Sequence, residues 1–177
     1  MEQEKRWYAM RDLKRSNALL PAYEQLAKAG MQVFTPMVSR LVTRNGKTTR
    51  RTVPFMQDLL FVCDTRHNLD PIVRSTPTLQ YRFRKGGAYG EPMVVPHNDM
   101  DRFIRAVQAT DTPRFYSAQE ITPLMCGRNI RIKGGPLDGF EGKLQTIRGS
   151  KTKRLVVALP TLMAVSVAIT DEFIELL

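Results

Sequence analysis

The chain has 177 residues, of which 42% are hydrophobic and 25% are charged, a balance typical of a globular protein that buries a core. It contains no apolar run long enough to cross a membrane and its N-terminus lacks the apolar stretch of a signal peptide, so we expect a cytoplasmic protein without a membrane partner. The formal net charge of +10 favours a polyanionic partner such as nucleic acid; a basic solvated surface is the alternative.

The first elements alternate strand and helix patterns. Residues 7–10 are a short apolar run that predicts a buried strand, and apolar residues recur at helical spacing over 18–27. Because proline is tolerated only in the first turn of a helix, we expect Pro21 to make this helix start late or bend. A second strand is predicted over 31–38, interrupted or ended by Pro36.

A basic hairpin follows. Residues 41–43 and 47–53 flank the dipeptide Asn45-Gly46, the strongest short hairpin signal because both turn positions need positive φ. No acidic residue occurs from 38 to 56, and phosphate contact is the physical reason to predict nucleic-acid binding here. An edge hairpin that uses Lys and Arg to block strand pairing is the alternative. The predicted nucleic-acid-binding residues are Arg40, Arg44, Lys47, Arg50 and Arg51.

The remaining elements of the first half are shorter. The continuous apolar run 59–63 predicts a central strand, and 64–76 a short helical or looped segment. Residues 79–84 alternate polar and apolar side chains with the period of two that a half-buried strand requires. Apolar residues at helical spacing over 96–107 predict a further helix.

A second, weaker basic group lies around the strand predicted over 79–84. Its members are Arg74, Arg82, Arg84 and Lys85. Alternation along a strand places Arg82 and Arg84 on the same face. Charge of one sign on one face suits a phosphate path, and a solvated surface explains it equally well.

The second half begins after a segment without periodicity. Residues 109–123 are rich in Thr, Ser, Pro, Asp and Gln, and we predict a linker between a domain over 1–108 and a domain over 124–177. Short strands so close together favour a small closed five-stranded β-barrel, because closure removes exposed sheet edges. The predicted strands are 129–133, 141–147, 154–159, 163–169 and 173–176. The fold class is therefore α+β.

The first barrel hairpin carries a glycine-rich turn. Only glycine enters positive φ freely and Pro136 fixes φ, so a strand, a tight turn and a second strand are expected here. The segment resembles the KOW motif of NusG-type transcription factors and of several ribosomal proteins, which implies docking rather than catalysis. The residues that carry the resemblance are Gly127, Ile130, Arg131, Ile132, Gly135, Pro136, Gly139, Phe140 and Gly142.

The order of features along residues 6–177 resembles the NusG family of transcription elongation factors. It runs from Trp7-Tyr8 through a helix, Phe34-Thr35-Pro36-Met37, the basic hairpin and an apolar strand to the linker and the KOW segment. The resemblance implies an NGN-like α/β sandwich, an antiparallel sheet with flanking helices, followed by an SH3-like KOW barrel. The Phe-Thr-Pro-Met segment and the length are similar to the specialised paralogues RfaH and UpxY, the latter antiterminators of capsular polysaccharide operons.

The resemblance also implies partners. In this family the N-terminal domain docks on the clamp helices of RNA polymerase through an apolar concavity, and the hairpin lies near upstream or non-template DNA or nascent RNA. By position the docking residues are Tyr8, Arg11, Met56, Leu59 and Phe61. Over 55–62 the chain departs from the family run Leu-Phe-Pro-x-Tyr-x-Phe-Val, since Met and Leu replace two aromatics and the proline is missing. Plain core packing is the alternative for Leu59 and Phe61.

In NusG the barrel binds the termination factor Rho or a small-subunit ribosomal protein through a loop close to Phe-Gly-Arg. The corresponding partner loop here has neither the aromatic nor the arginine, which disfavours Rho and leaves a ribosomal protein as the implied partner. Leu162 and Met163 are its candidate apolar anchors. The loop consists of Pro160, Thr161, Leu162 and Met163.

Catalysis finds no support in the sequence. His67 and His97 have no suitably spaced metal-ligating partners, and Cys63 and Cys126 are far apart, as expected of buried thiols. Nucleophile-elbow and Walker-type motifs are missing. We therefore expect no catalytic residue, metal or cofactor. The leading hypothesis is a transcription elongation or antitermination factor that docks on RNA polymerase; a KOW-type RNA-binding or ribosome-associated protein is the alternative.

Overall fold

The computed structural model describes residues 4–15, 19–121, 127–170 and 173–177. The chain divides into two compact units, Met1–His97 and Asn98–Leu177. In the described ranges no helix has both the length and the apolar character of a membrane span. Cys126 lies outside the described residues, whereas Cys63 is buried as expected.

The first unit contains an antiparallel sheet and a separate hairpin. The sheet has the order β2-β5-β1-β6, with β7 also pairing with β1, while β3 and β4 pair only with each other among the described strands. The mixed α+β class is confirmed. The elements are β1 (Arg6–Asp12), α1 (Ala22–Lys28), β2 (Gln32–Phe34), β3 (Met37–Arg44), β4 (Lys47–Pro54), β5 (Leu59–Asp64), α2 (Arg66–Ser75), β6 (Leu79–Tyr81) and β7 (Val94–Val95).

One buried cluster of the first unit lies on one face of this sheet, and side chains of the other face, such as Trp7 and Phe61, are buried as well. In the β1–β5 register Tyr8 is opposite Val62, and such cross-strand partners project from the same face. Leu26 of α1 and Leu69 of α2 belong to the same buried cluster. Full burial of a side chain such as Leu69 stabilises the fold by about 1.5–3 kcal/mol.

Proline sets the start of α1, as the sequence predicts. Pro21 occupies the N-cap with an extended ψ of 156°, and the helix begins at Ala22. The buried Asp12 replaces the missing side-chain cap, because its Oδ2 accepts a hydrogen bond of 2.6 Å from the Ala22 amide. Helix α2 is capped by Thr65, whose hydroxyl accepts from the Asn68 amide.

The strand predicted over 79–84 is shorter than expected. β6 ends at Tyr81, because the pairing with β1 becomes irregular at the next position: the Arg82 amide still donates to the Ala9 carbonyl at 2.9 Å, but the Ala9 amide donates to the Met93 carbonyl at 3.1 Å. The alternation expected for Arg82 and Arg84 is therefore wrong beyond Tyr81.

The second unit is a six-stranded antiparallel sheet with one helix at its start. The strand order is β13-β9-β10-β11-β12-β8. The five predicted strands are all present at bounds that match within one residue. The elements are α3 (His97–Gln108), β8 (Arg114–Ser117), β9 (Asn129–Lys133), β10 (Glu141–Thr146), β11 (Lys153–Leu159), β12 (Met163–Ile169) and β13 (Phe173–Leu176).

Two expectations for this half need correction. The predicted linker over 109–123 contains β8, which pairs with β12 from Ser117 opposite Met163 to Arg114 opposite Ser166. Burial of Phe115 and a hydrogen bond from the Arg154 guanidinium to the Thr112 carbonyl (3.3 Å) hold this segment on the sheet. Among the described strands no pairing joins β13 to β8, so the path is an open six-stranded sheet and not a closed five-stranded barrel.

The compact units also divide at a different place from the predicted domain end at 108. All of α3 after His97 belongs to the second unit. Within that unit the rings of Phe103 and Phe115 lie 6.3 Å apart, and the Arg105 guanidinium lies 5.0 Å from the ring centre of Phe140. These contacts connect the helix to β8 and to the glycine-rich segment.

Candidate nucleic-acid interface

The basic hairpin has the geometry that its sequence predicts. Asn45 and Gly46 both adopt positive φ, 51° and 74°, as a two-residue hairpin turn requires. The register pairs Arg40 with Arg51 and Arg44 with Lys47. All five predicted cations are exposed.

The register separates these cations into two faces. Cross-strand partners share a face and alternate residues change face, so Arg40 and Arg51 lie on the same face as Arg44 and Lys47. Arg50 is opposite Leu41, one position out of step, and projects from the other face. The structure thus brings four of the five predicted residues together and leaves Arg50 apart.

The four-cation face, defined as Arg40, Arg44, Lys47 and Arg51, is electrostatically uncompensated. Like charges directly opposite each other destabilise a strand pair. In the described part of the chain no carboxylate lies within ion-pair distance of any of the four; the only polar partner found there for the Arg40 guanidinium is the Phe55 carbonyl, at 3.4 Å. The two like-charged cross-strand pairs are separated on this face by Val42 opposite Thr49, and phosphates would neutralise both pairs.

Four of the predicted polymerase-docking residues lie on the sheet, and they are divided between its two faces. Tyr8 lies with Val62 on the core face, whereas Phe61 is opposite Ala9 and Leu59 is opposite Arg11 on the other face. Tyr8, Leu59 and Phe61 are 4%, 2% and 0% exposed. Their burial agrees with the core-packing alternative and leaves only half-buried Met56 and exposed Arg11 accessible.

Tyr8 packs against Tyr81, which belongs to a partly exposed polar group. Its ring packs edge-on against Tyr81, with 5.6 Å between centroids. The Tyr81 hydroxyl donates to Asp70 Oδ1 at 2.8 Å, and Arg66 holds the same carboxylate in an i,i+4 ion pair at 2.8 Å. Burial raises the pKa of Tyr81 and of Tyr8, so both hydroxyls stay protonated.

Arg11 lies in a small ionic group that sequence reasoning missed. The Asp58 carboxylate lies 3.5 Å from Arg11 and 3.0 Å from Arg82. Burial lowers the pKa of the Arg82 guanidinium, and Asp58 offsets that effect. Arg82 is therefore part of an ion pair and not of a free phosphate path. The sequence offered no signal for this ionic group, because Asp58 occupies a variable position of the family run at 55–62.

The KOW-like segment has its apolar residues inside, and Gly142, which the sequence predicts as a turn former, lies within β10. Ile130, Ile132 and Phe140 are buried, and Gly139 has a φ of 78°. A Cβ on Gly142 would lie 2.3 Å from the Val156 carbonyl oxygen, so β10 and β11 approach too closely for any side chain there.

Two cations of this segment, Arg131 and Lys133, are neutralised within the sheet. Arg131 lies 2.6 Å from Glu141 and 3.4 Å from Glu175, and Lys133 lies 3.1 Å from Glu175. The hydrogen bond from Lys133, followed by smaller effects that include Arg131, holds the pKa of Glu175 below its usual value. This cluster of Arg131, Lys133, Glu141 and Glu175 is hereafter the ionic cluster.

The partner loop differs from its prediction. Leu162 and Met163 are 7% and 0% exposed, since Leu162 immediately precedes the buried strand β12 and Met163 begins it, and so neither is an accessible anchor. Pro160 and Thr161 are exposed, and Thr161 adopts a φ of 66° that is unusual for a β-branched residue.

The described residues include no group of three or more His, Cys, Asp or Glu side chains able to hold a metal ion. His97 Nε2 lies 2.8 Å from the Lys5 carbonyl oxygen.

Comparison with known families decides the assignment. The family model described as NusG, transcription termination factor nusG, matches residues 5–104. The chain belongs to the NusG family. The match covers the hairpin, the sheet of the first unit and most of α3, and this NusG-family protein is accordingly a factor of transcription elongation or termination, with RNA polymerase as the family's general partner. No curated protein matches the chain.

Proposed function

We propose that this NusG-family protein docks on the clamp region of RNA polymerase and suppresses pausing or termination. The observation that carries the nucleic-acid part of the proposal is the four-cation face. Its charges are exposed, aligned by register and without acidic partners among the described residues. A hairpin held on upstream or non-template DNA, or on nascent RNA, would supply the missing negative charge.

Polymerase contact is best sought at residues that are accessible. Arg11 and Met56 meet that condition, whereas Tyr8, Leu59 and Phe61 are buried. A flexible methionine beside a charged group suits an adaptable protein contact. We therefore propose that Arg11 and Met56 contact polymerase, while Tyr8, Leu59 and Phe61 support the sheet from inside.

The second unit is proposed to be a KOW docking domain. The buried Ile130 and Ile132 and the glycine turn support that reading, and Pro160 and Thr161 are the accessible part of the partner loop. A ribosomal protein fits the proposal better than Rho, because the aromatic and the arginine of the usual loop are missing. The similarity to RfaH and UpxY extends the proposal to capsular polysaccharide operons, to a cytoplasmic location and to a role without catalysis.

Co-purification with core RNA polymerase tests the proposal. We expect the full chain to be retained by core polymerase and to shorten pauses in a single-round transcription assay. Arg11→Ala should weaken retention without changing the melting temperature, and Arg6→Ala, another exposed arginine on β1, is the matched control. Retention by ribosomal particles or free RNA without any binding to polymerase would contradict the proposal and favour the KOW-type RNA-binding alternative.

A further inference from the structure

An arm, defined as residues 83–92, leaves the sheet of the first unit between β6 and β7. Its base is fixed by main-chain hydrogen bonds: the Arg82 amide donates to the Ala9 carbonyl at 2.9 Å, and the Met93 amide donates to the Arg82 carbonyl at 2.7 Å. A β-bridge between Phe83 and Pro92 closes the base. The arm is thus an ordered projection that adds no strand to the sheet.

Two consecutive tight turns shape the arm. The Gly87 amide donates to the Arg84 carbonyl at 3.1 Å, and the Glu91 amide donates to the Ala88 carbonyl at 3.2 Å. The third position of each turn is a glycine with positive φ, as turns of this kind require. The second turn places Tyr89 at its first central position, on the outside of the bend.

The aromatic side chains of the arm are exposed without a structural reason. Tyr89 is 108% exposed and Phe83 is 54% exposed. In the described ranges neither ring contacts another aromatic or a cation, and the Tyr89 hydroxyl has no hydrogen bond. The turn geometry is set by glycines, so the fold does not need an aromatic residue at 89.

The arm also carries exposed positive charge. Arg84 and Lys85 lie within the first turn, Glu91 is the arm's acidic residue, and neither cation has an ion-pair partner among the residues that the structure describes. Aromatic faces stack on bases, and adjacent Lys or Arg side chains contact phosphates. Because the bases of a duplex are already stacked on one another, such an arm selects unpaired nucleotides.

We propose that the arm binds single-stranded nucleic acid, with Tyr89 and Phe83 stacking on bases and Arg84 and Lys85 contacting the backbone. This site is separate in sequence from the four-cation face. That face offers charge without aromatic residues, and it therefore suits the phosphates of paired and unpaired strands alike. The inference does not rest on polymerase docking, and it adds a distinction between paired and unpaired strands to the proposed function.

Filter-binding titrations of the full chain against a single-stranded oligonucleotide and the duplex of the same sequence test the inference. Tyr89→Leu should weaken single-strand binding about fivefold or more, since stacking on one base typically carries that much affinity. Tyr89→Phe should retain it, because the ring and not the hydroxyl binds. The affinity for the duplex should change by less than about twofold, because the bases of a duplex do not stack on Tyr89.

Phe173→Leu is the matched control, because Phe173 is 80% exposed on β13 and lies outside the arm. Wild-type single-strand affinity in Tyr89→Leu, an equal loss on duplex, or an equal loss in Phe173→Leu would each overturn the inference. A loss of polymerase retention in Tyr89→Leu with unchanged oligonucleotide binding would also overturn it and would assign the arm to a protein contact. Failure of the wild-type chain to bind polymerase, with single-strand selectivity intact, would overturn only the docking proposal.

Discussion

The hairpin of the first unit and the ionic cluster of the second unit are both rich in Arg and Lys, and they use those residues in opposite ways. In the ionic cluster each cation lies within 3.4 Å of a carboxylate. In the four-cation face each cation is opposite another cation, Arg40 with Arg51 and Arg44 with Lys47. In the ionic cluster the charges neutralise one another, whereas the charge of the four-cation face stays available to an external anion.

The difference teaches that net charge locates no interface by itself. Ion pairs on a protein surface contribute little to stability, yet they cancel the field that would attract an anion. A like-charged cross-strand pair costs stability and leaves its field uncancelled, so that it can attract an anion. The strand register determines which residues are opposite each other, and it therefore determines which charges can attract a partner.

The largest expected effect comes from removing the four-cation face. Replacing Arg40, Arg44, Lys47 and Arg51 by alanine should weaken duplex binding on the order of tenfold or more and reduce the salt slope by roughly 3–4, since each phosphate contact adds about 0.9. Titrations over a range of salt concentrations measure both. Arg50→Ala, on the other face, is the control and should change the slope least. Equal slopes for the wild type and the fourfold variant would show that the face binds no phosphates.

The second prediction separates the two regions by damaging only one. Gly142→Ala places a Cβ 2.3 Å from the Val156 carbonyl oxygen, and the two strands must move apart. We expect a loss of about 1–3 kcal/mol or more in the stability of the second unit, as for other overpacked sites. Circular dichroism during thermal unfolding measures it. Lys143→Ala, at the exposed neighbouring position, should leave stability nearly unchanged, and a harmless Gly142→Ala would contradict the close approach of β10 and β11.

A third variant makes the hairpin resemble the ionic cluster. Arg51→Glu converts the Arg40–Arg51 pair into an opposite-charge pair, which should stabilise the hairpin by about 0.2–1 kcal/mol while weakening nucleic-acid binding. Amide hydrogen exchange in β3 and β4 reports the local stability. Arg50→Glu is the control: residue 50 is opposite Leu41, so this variant should give no such gain in protection from exchange. If Arg51→Glu lost less nucleic-acid affinity than Arg51→Ala, direct phosphate contact by this residue would be contradicted.

The smallest effect is a pH dependence of the ionic cluster. The pKa of Glu175 is held below its ordinary value of 4.5 in the folded chain, so the ionised form is favoured by folding. The resulting stability is fully present above that ordinary value and is lost as the pH falls below it. Glu175→Gln should flatten the decline of melting temperature below about pH 4.5. An unchanged acid limb in this variant would show that Glu175 contributes no pH-dependent stability.

The sequence predicted those elements whose signals are local. Asn45-Gly46 defines its own turn, and the strands from β9 to β13 each carry an apolar period bounded by turn residues. β8 escaped prediction because its four residues lie among Thr, Ser and Pro, and its partner β12 is distant in the chain. No local pattern reports that pairing.

Assignment to a face was predictable in one region and not in the other. The turn at Asn45-Gly46 and a period of two already place Arg50 apart from Arg51, so the four-cation face follows from sequence and register alone. The run 59–63 is apolar throughout, and such a run does not show which residues share a face with Tyr8. Distances such as that from Asp58 to Arg82 depend on the folded sheet.

The position of Trp7 has a practical consequence. It is the only tryptophan in the chain, it is 2% exposed, and β1 pairs with β5, β6 and β7. Its side chain is buried in the folded protein, and the second unit contains no indole of its own. Emission excited near 295 nm, roughly where tyrosine no longer absorbs, is therefore a built-in optical reporter of the first unit alone. Compared with a far-ultraviolet signal from both units, it reveals whether the two halves of the chain melt together or one after the other.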